Sequence, residues 1–160
     1  MEAARLATRD DVDRLAELWD AADAELGVQR GGERLIGSIA RPLPDHLLGA
    51  GPDRLVAVGT IDGYVVGFAY ASVDRRPRLP VALVEVIFVE GGARGIGLGE
   101  ALMGAVLRWA GERGCGGIDG YALPGNRAAK ALFEAHGFSA RLLVMHRALI
   151  GAPEGEAAHG

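Results

Sequence analysis

Val81-Ala-Leu-Val-Glu-Val-Ile-Phe-Val89 is an almost unbroken apolar run with Glu85 as its sole charge, and shortly after it the chain reads Arg94-Gly-Ile-Gly-Leu-Gly99. An apolar run of this length with β-branched residues predicts a central strand covered on both faces. Beyond the glycines, Leu98, Ala101, Leu102, Ala105, Val106 and Trp109 recur at helical spacing and predict a strong amphipathic helix. A glycine-rich loop therefore joins a buried strand to the first turn of a helix. Backbone N–H groups there lack intrahelical partners, and the macrodipole adds partial positive charge. Glycines at alternate positions let an anion approach the backbone without a Cβ in the way, and Arg94 adds a charge suited to a diphosphate. Tight packing alone also uses such turns. The dinucleotide fingerprint would place its third glycine where Glu100 or Leu102 stands, and the lysine of a phosphate loop is missing.

Upstream, Leu55 to Val58 and Tyr64 to Val73 read as strands joined by Asp62-Gly63, a hairpin signal, so the strand at residues 81–89 completes an antiparallel meander. Thr8 and Asp11 have capping-box spacing before a helix expected over residues 9–26, with an edge strand over 3–7 ahead of it and a shorter helix over 33–39 behind. Residues 41–52, rich in proline and including His46, read as an irregular loop suited to substrate specificity. Downstream, residues 117–122 predict a short strand. Asn126 caps a helix with Ala129, Leu132 and Phe133 inward, Gly137 closes it, and residues 139–149 predict a last strand. The fold class is α/β, a mixed and mostly antiparallel sheet flanked by about four helices. Residues 1–150 form a single domain and 151–160 a polar tail.

The 160 residues carry a net charge of -4, and Lys130 is the lone lysine, which removes a basic block for nucleic acid. Cys115 is the sole cysteine, so neither a disulfide framework nor a site of several thiolates is available, and a metal site is not expected. The start lacks signal-peptide order and no apolar run reaches the ~18 residues of a membrane span, so a soluble, cytoplasmic protein without a membrane partner is expected.

The block VEVIFVEGGARGIGLGEALM resembles the acetyl-CoA motif of the GNAT acetyltransferase superfamily: arginine or glutamine, two residues, glycine, one residue, then glycine or alanine, matched by Arg94, Gly97 and Gly99. The downstream NRAAKALFEAHGF resembles that family's asparagine-led helix ending in Gly-Phe. The resemblance spans residues 3–149 and implies that acetyl-CoA is the cosubstrate. Its pyrophosphate would be held by the loop at Arg94, Gly95, Gly97, Leu98, Gly99 and Glu100. Its pantetheine would run along Phe88 and Val89, at a splay between that strand and the next, with Asn126 and Phe133 also binding the cofactor.

The resemblance further implies transfer of the acetyl group to a primary amine by direct attack in a ternary complex. An amine arrives protonated and needs a base. Glu85 is the candidate, since an apolar setting raises a carboxyl pKa, and Glu90 is the second choice. The alternative for Glu85 is an edge-facing or salt-bridged group without catalytic role. A backbone N–H near Val89 would hold the oxyanion. Many family members place a tyrosine in the last helix to protonate the thiolate. Here Phe133 stands in that Leu-x-Glu setting, leaving water or Tyr121. His136 reads as a helix C-terminal group, and His46 and His146 as structural or substrate-facing. The competing functions are a catalytically silent acyl-CoA-binding or sensor module and a nucleotide-binding domain. The acceptor, a small molecule or a protein amino group, is open, and a homodimer is common among similar folds.

Overall fold

The computed structural model describes residues 2–39, 41 and 51–150. The expected loop at residues 41–52, with His46, lies largely outside the described residues, as does the tail at 151–160.

The chain orders as β1 (Glu2–Leu6), α1 (Val12–Gly27), α2 (Gly32–Ser38), β2 (Arg54–Ile61), β3 (Tyr64–Asp74), β4 (Val81–Val89), α3 (Leu98–Glu112), β5 (Gly117–Gly120) and α4 (Arg127–Ala135). The five strands form one sheet in the order β1-β2-β3-β4-β5, antiparallel through β4 and parallel between β4 and β5. This is the mixed, mostly antiparallel α/β sheet expected.

Alternation along the strands divides the core. Leu55 and Ala57 on β2, Ala69 and Ala71 on β3, and Ala82 and Val84 on β4 face α3, where Leu102, Met103, Val106 and Trp109 are buried. Val56, Val58, Phe68 and Tyr70 face α1, where Leu15, Leu18, Trp19 and Ala22 are buried. Trp19 stacks on Phe68 at 4.9 Å between centroids. Each large side chain buried here contributes about 1.5–3 kcal/mol, so the two layers clamp the sheet from both sides.

Local chemistry sets the element ends. The Asp11 carboxylate accepts from the Thr8 amide at 2.7 Å and pairs with Arg5 at 2.7 and 2.9 Å. The capping spacing thus starts a short 3-10 turn that runs into α1. Asp62 and Gly63 both adopt positive φ, 48° and 85°, as a two-residue hairpin turn requires.

Two expectations are corrected. Strand β5 ends at Gly120 rather than 122. The last strand, expected over 139–149, does not form: this stretch joins no ladder, and Leu142, Leu143, Val144 and Met145 are all exposed. β-propensity alone does not make a strand; the segment must also pair with an edge, and among the described residues it pairs with none.

Candidate functional site

The site grows from two irregularities in β4. Tyr70 pairs with Val86 and Ala71 with Val84, so Glu85 is an extra residue, a β-bulge. The bulge reverses the facing of everything after it. Val84 belongs to the α3 side, Val86 and Phe88 to the α1 side, and Ile87 and Val89 to the α3 side again. Glu85 shares the α1 side with Tyr70, Ser72 and Arg54. Burial pushes its carboxyl above the usual range against the opposing pull of the Ser72 and Tyr70 hydroxyls and the Arg54 guanidinium. The same burial, with the Glu85 charge, raises the Tyr70 hydroxyl.

The second irregularity is a splay. Strand β5 pairs with β4 only from Val81 to Val84, ending opposite Gly120. From Glu85 to Val89 the outward edge of β4 has no strand beside it among the described residues, so alternate amides and carbonyls there are open to a ligand. The gap is kept by packing: a Cβ on Gly120 would lie 2.4 Å from the Phe133 ring, so the absence of one lets Phe133 sink beneath the end of β5. Phe133 is buried, 5.0 Å from the Phe138 ring. It supports the site from below and carries no hydroxyl. Tyr121, just past β5, is half-exposed.

At the far end of the open edge lies the glycine loop. Gly95 and Gly97 have φ of 83° and 89°, conformations that other residues rarely adopt. The amides of Gly95, Ile96, Gly97, Leu98, Gly99 and Glu100 donate to no backbone carbonyl among the described residues. With α3 behind them they form a concave set of donors matched to a phosphate or diphosphate. Leu98 is fully buried, and a Cβ on Gly59 would come within 2.9 Å of it, so the helix start is seated directly on β2.

The structure holds Arg94 otherwise than as a free cation. Its Nη2 meets Glu25 of α1 at 2.5 Å, its Nε donates to the Val89 carbonyl at 2.8 Å, and its guanidinium lies 5.6 Å from the Phe88 ring centroid. The loop is strapped to α1 by this side chain, and the open contacts for an anion are the amides. Glu90 is likewise engaged, by Arg14 at 2.6 Å. Arg14 also donates to the Val65 carbonyl and ties α1 to β3.

Asn126 caps α4, its Oδ1 accepting from the Ala129 amide at 3.0 Å. His136 bonds the Leu132 carbonyl at the end of α4, and His146 lies 3.3 Å from Arg34. Sequence reading pointed to Glu85 and the loop, which lie on β4 and beyond its end, and to Asn126, which caps α4. It missed Glu25, Arg14, Ser72 and Arg54, which reach the site by tertiary contact and carry no local pattern. Among the described residues no group of three or more potential ligands could hold a metal, and no helix is long and apolar enough to cross a membrane.

The model of the acetyltransferase (GNAT) family matches residues 13–138. No curated protein matches the chain in sequence. Among solved structures, it is similar to the aminoglycoside acetyltransferase AAC(6')-Iy in complex with a CoA-containing bisubstrate analogue, with a TM-score of 0.66 and 22% identity over 92% of this chain and 98% of that one. It is similar to a variant of the BH1408 protein from Bacillus halodurans, with a TM-score of 0.71 and 18% identity over 91% of this chain and 99% of that one. A ribosomal-protein-alanine N-acetyltransferase from Brucella melitensis aligns with a TM-score of 0.66 and 18% identity over 93% and 100% of the two chains.

Proposed function

The chain belongs to the GNAT acetyltransferase family, and from that premise we propose that it moves the acetyl group of acetyl-CoA onto a primary amine by direct attack in a ternary complex. The observation that carries this reading is the bulged, half-buried Glu85 at the first position where β4 loses β5, on the same open edge that leads to the free amides of residues 95–100. The amides receive the pyrophosphate, and the pantetheine runs along Phe88 and Val89 as an added strand would. The thioester then falls within the splay. Glu85, with its pKa raised, takes a proton from the incoming ammonium directly or through water. The free amine attacks the thioester carbonyl, an unpaired amide near Val89 stabilises the oxyanion, and the carbon–sulfur bond breaks. The CoA thiolate needs little help, since a thiol pKa near ~8.5 makes it a tolerable leaving group. Water or Tyr121 protonates it in place of the missing tyrosine.

The buried Phe133 favours a second reading, an acyl-CoA-binding module without turnover. One pair of experiments separates the two. A melting curve with excess acetyl-CoA should rise in either case, by about 2.7 kcal/mol at a hundredfold excess over Kd. A panel of primary amines assayed for thiol release should show turnover only for the enzyme. Binding with no turnover on any amine, in a protein where Glu85→Gln changes nothing, would leave the silent module standing.

A further inference from the structure

We propose that the hollow between β1, β2 and the C-terminal half of α3 is a binding site for a small monocarboxylate with an apolar body. The hollow lies on the α3 side of the sheet at its β1 edge, away from the splay of β4 and β5, and has a volume of about 310 Å³. Sites for small organic ligands begin at about 300 Å³. Its space comes from the choice of residues. Where the two strands and the helix face one another the chain places Ala4, Ala57 and Ala105, three single methyl groups where longer side chains would fill the gap.

The same hollow holds unspent hydrogen-bond donors. Trp109 and Arg113, one turn apart on α3, both line it. Trp109 is 4% exposed, and its Nε1 and the Nε of Arg113 are buried with no hydrogen-bond partner among the described residues. A buried N–H left unpaired is costly and uncommon in a folded chain. Two of them at i and i+4 in one hollow point to an acceptor that belongs there.

The charges say which acceptor. Arg108 and Glu112, both exposed, complete the rim, and neither side chain makes a hydrogen bond or ion pair among the described residues. Arg5 also borders the hollow, but its guanidinium is engaged by Asp11 at 2.7 and 2.9 Å. The guanidiniums of Arg108 and Arg113 against the one carboxylate of Glu112 leave a single positive charge. That balance suits a monoanion and opposes a dianion such as phosphate. A carboxylate meets a guanidinium through two parallel hydrogen bonds, and the apolar body attached to it lies on the alanine methyls and the indole.

The test is a titration of phenylacetate into the full chain, read at the indole N–H of Trp109 by nitrogen–proton NMR. The chain has two tryptophans, so either Trp109→Phe or Trp19→Phe assigns the signal. It should move saturably, and with the same midpoint when acetyl-CoA is present, because the splay lies toward the other edge of the sheet. Arg108→Gln and Arg113→Gln should each weaken binding about tenfold, and so should replacing the probe by its neutral amide, phenylacetamide. Glu112→Gln should tighten it, and inorganic phosphate should leave the signal in place. Should Arg113→Gln lower the melting temperature, Arg108→Gln at its exposed position carries the comparison. No movement of the signal up to millimolar phenylacetate overturns the proposal, as does unchanged affinity in Arg108→Gln. Equal binding of phenylacetamide would show a purely apolar cavity, equal binding of phosphate a plain anion patch, and competition by acetyl-CoA a probe seated in the cofactor cleft; each overturns it. None of these readouts depends on acetyl transfer.

Discussion

Replacing Glu85 by Gln keeps the size of the side chain and its capacity to meet the Ser72 and Tyr70 hydroxyls, but removes the proton acceptor. A positioned general base contributes about 10²–10⁴-fold, which is ~2.7–5.5 kcal/mol of barrier, so kcat should fall by that factor. The sign of the stability change follows from burial. The folded-state pKa of Glu85 is raised, so its contribution to stability is most favourable below the ordinary carboxylate range and is lost as pH rises through the folded pKa. At neutral pH the ionised carboxylate weakens the fold, and the variant should melt at the same temperature or higher. Acetyl-CoA affinity should be unchanged, since the donor amides lie at residues 95–100. In the wild type, kcat/KM should rise with pH through a limb above the usual glutamate range, and the variant should lack that limb. Stopped assays of thiol release across pH, with calorimetric melting and acetyl-CoA titration, measure all three. Wild-type turnover in the variant would refute the base assignment, and a drop in melting temperature matching the loss of activity would reassign Glu85 to structure.

Gly97→Ala places a Cβ at φ 89° with no atom within 4 Å, so its cost is backbone strain rather than packing. A loss of about 1–2 kcal/mol and a fall of several degrees in Tm are expected, together with loss of the acetyl-CoA-induced melting shift. Glu25→Gln releases Arg94 from its half-exposed ion pair, and because such pairs are worth at most ~1 kcal/mol, calorimetric titration should show acetyl-CoA binding tighter by up to about fivefold; weaker binding would show that the pair orders the loop. Asp11→Asn should cost about 1 kcal/mol at neutral pH through loss of the charged Arg5 pair, the Asn amide oxygen still accepting from the Thr8 amide. The Arg5 hydrogen bond holds the Asp11 pKa below its usual value, so that stability is present above the ordinary carboxylate range and lost as pH falls through the folded pKa. Denaturation curves of wild type and variant should therefore converge in acid.

Features encoded over a few residues were legible without coordinates: the hairpin at Asp62-Gly63, the start of α1 from Thr8 and Asp11, the Asn126 cap, and the loop at residues 94–99 between a buried strand and a helix. Each depends on a backbone conformation or hydrogen bond that neighbouring residues impose on one another. Glu85 stood out because a charge within an apolar run is costly without a reason. The run at residues 81–89 could not disclose its own bulge, because residues apolar on both sides conceal which face each takes. Pairing with β3 decides that Glu85 and Val86 share the α1 side, and the parity of Phe88 and Val89 follows. The straps from Glu25 to Arg94 and from Arg14 to Glu90 join residues 69 and 76 positions apart, a separation over which no sequence pattern acts. Residues 139–149 show the converse: β-propensity is a property of the segment, but a strand also requires pairing with an edge, and only the tertiary structure decides whether the segment takes one.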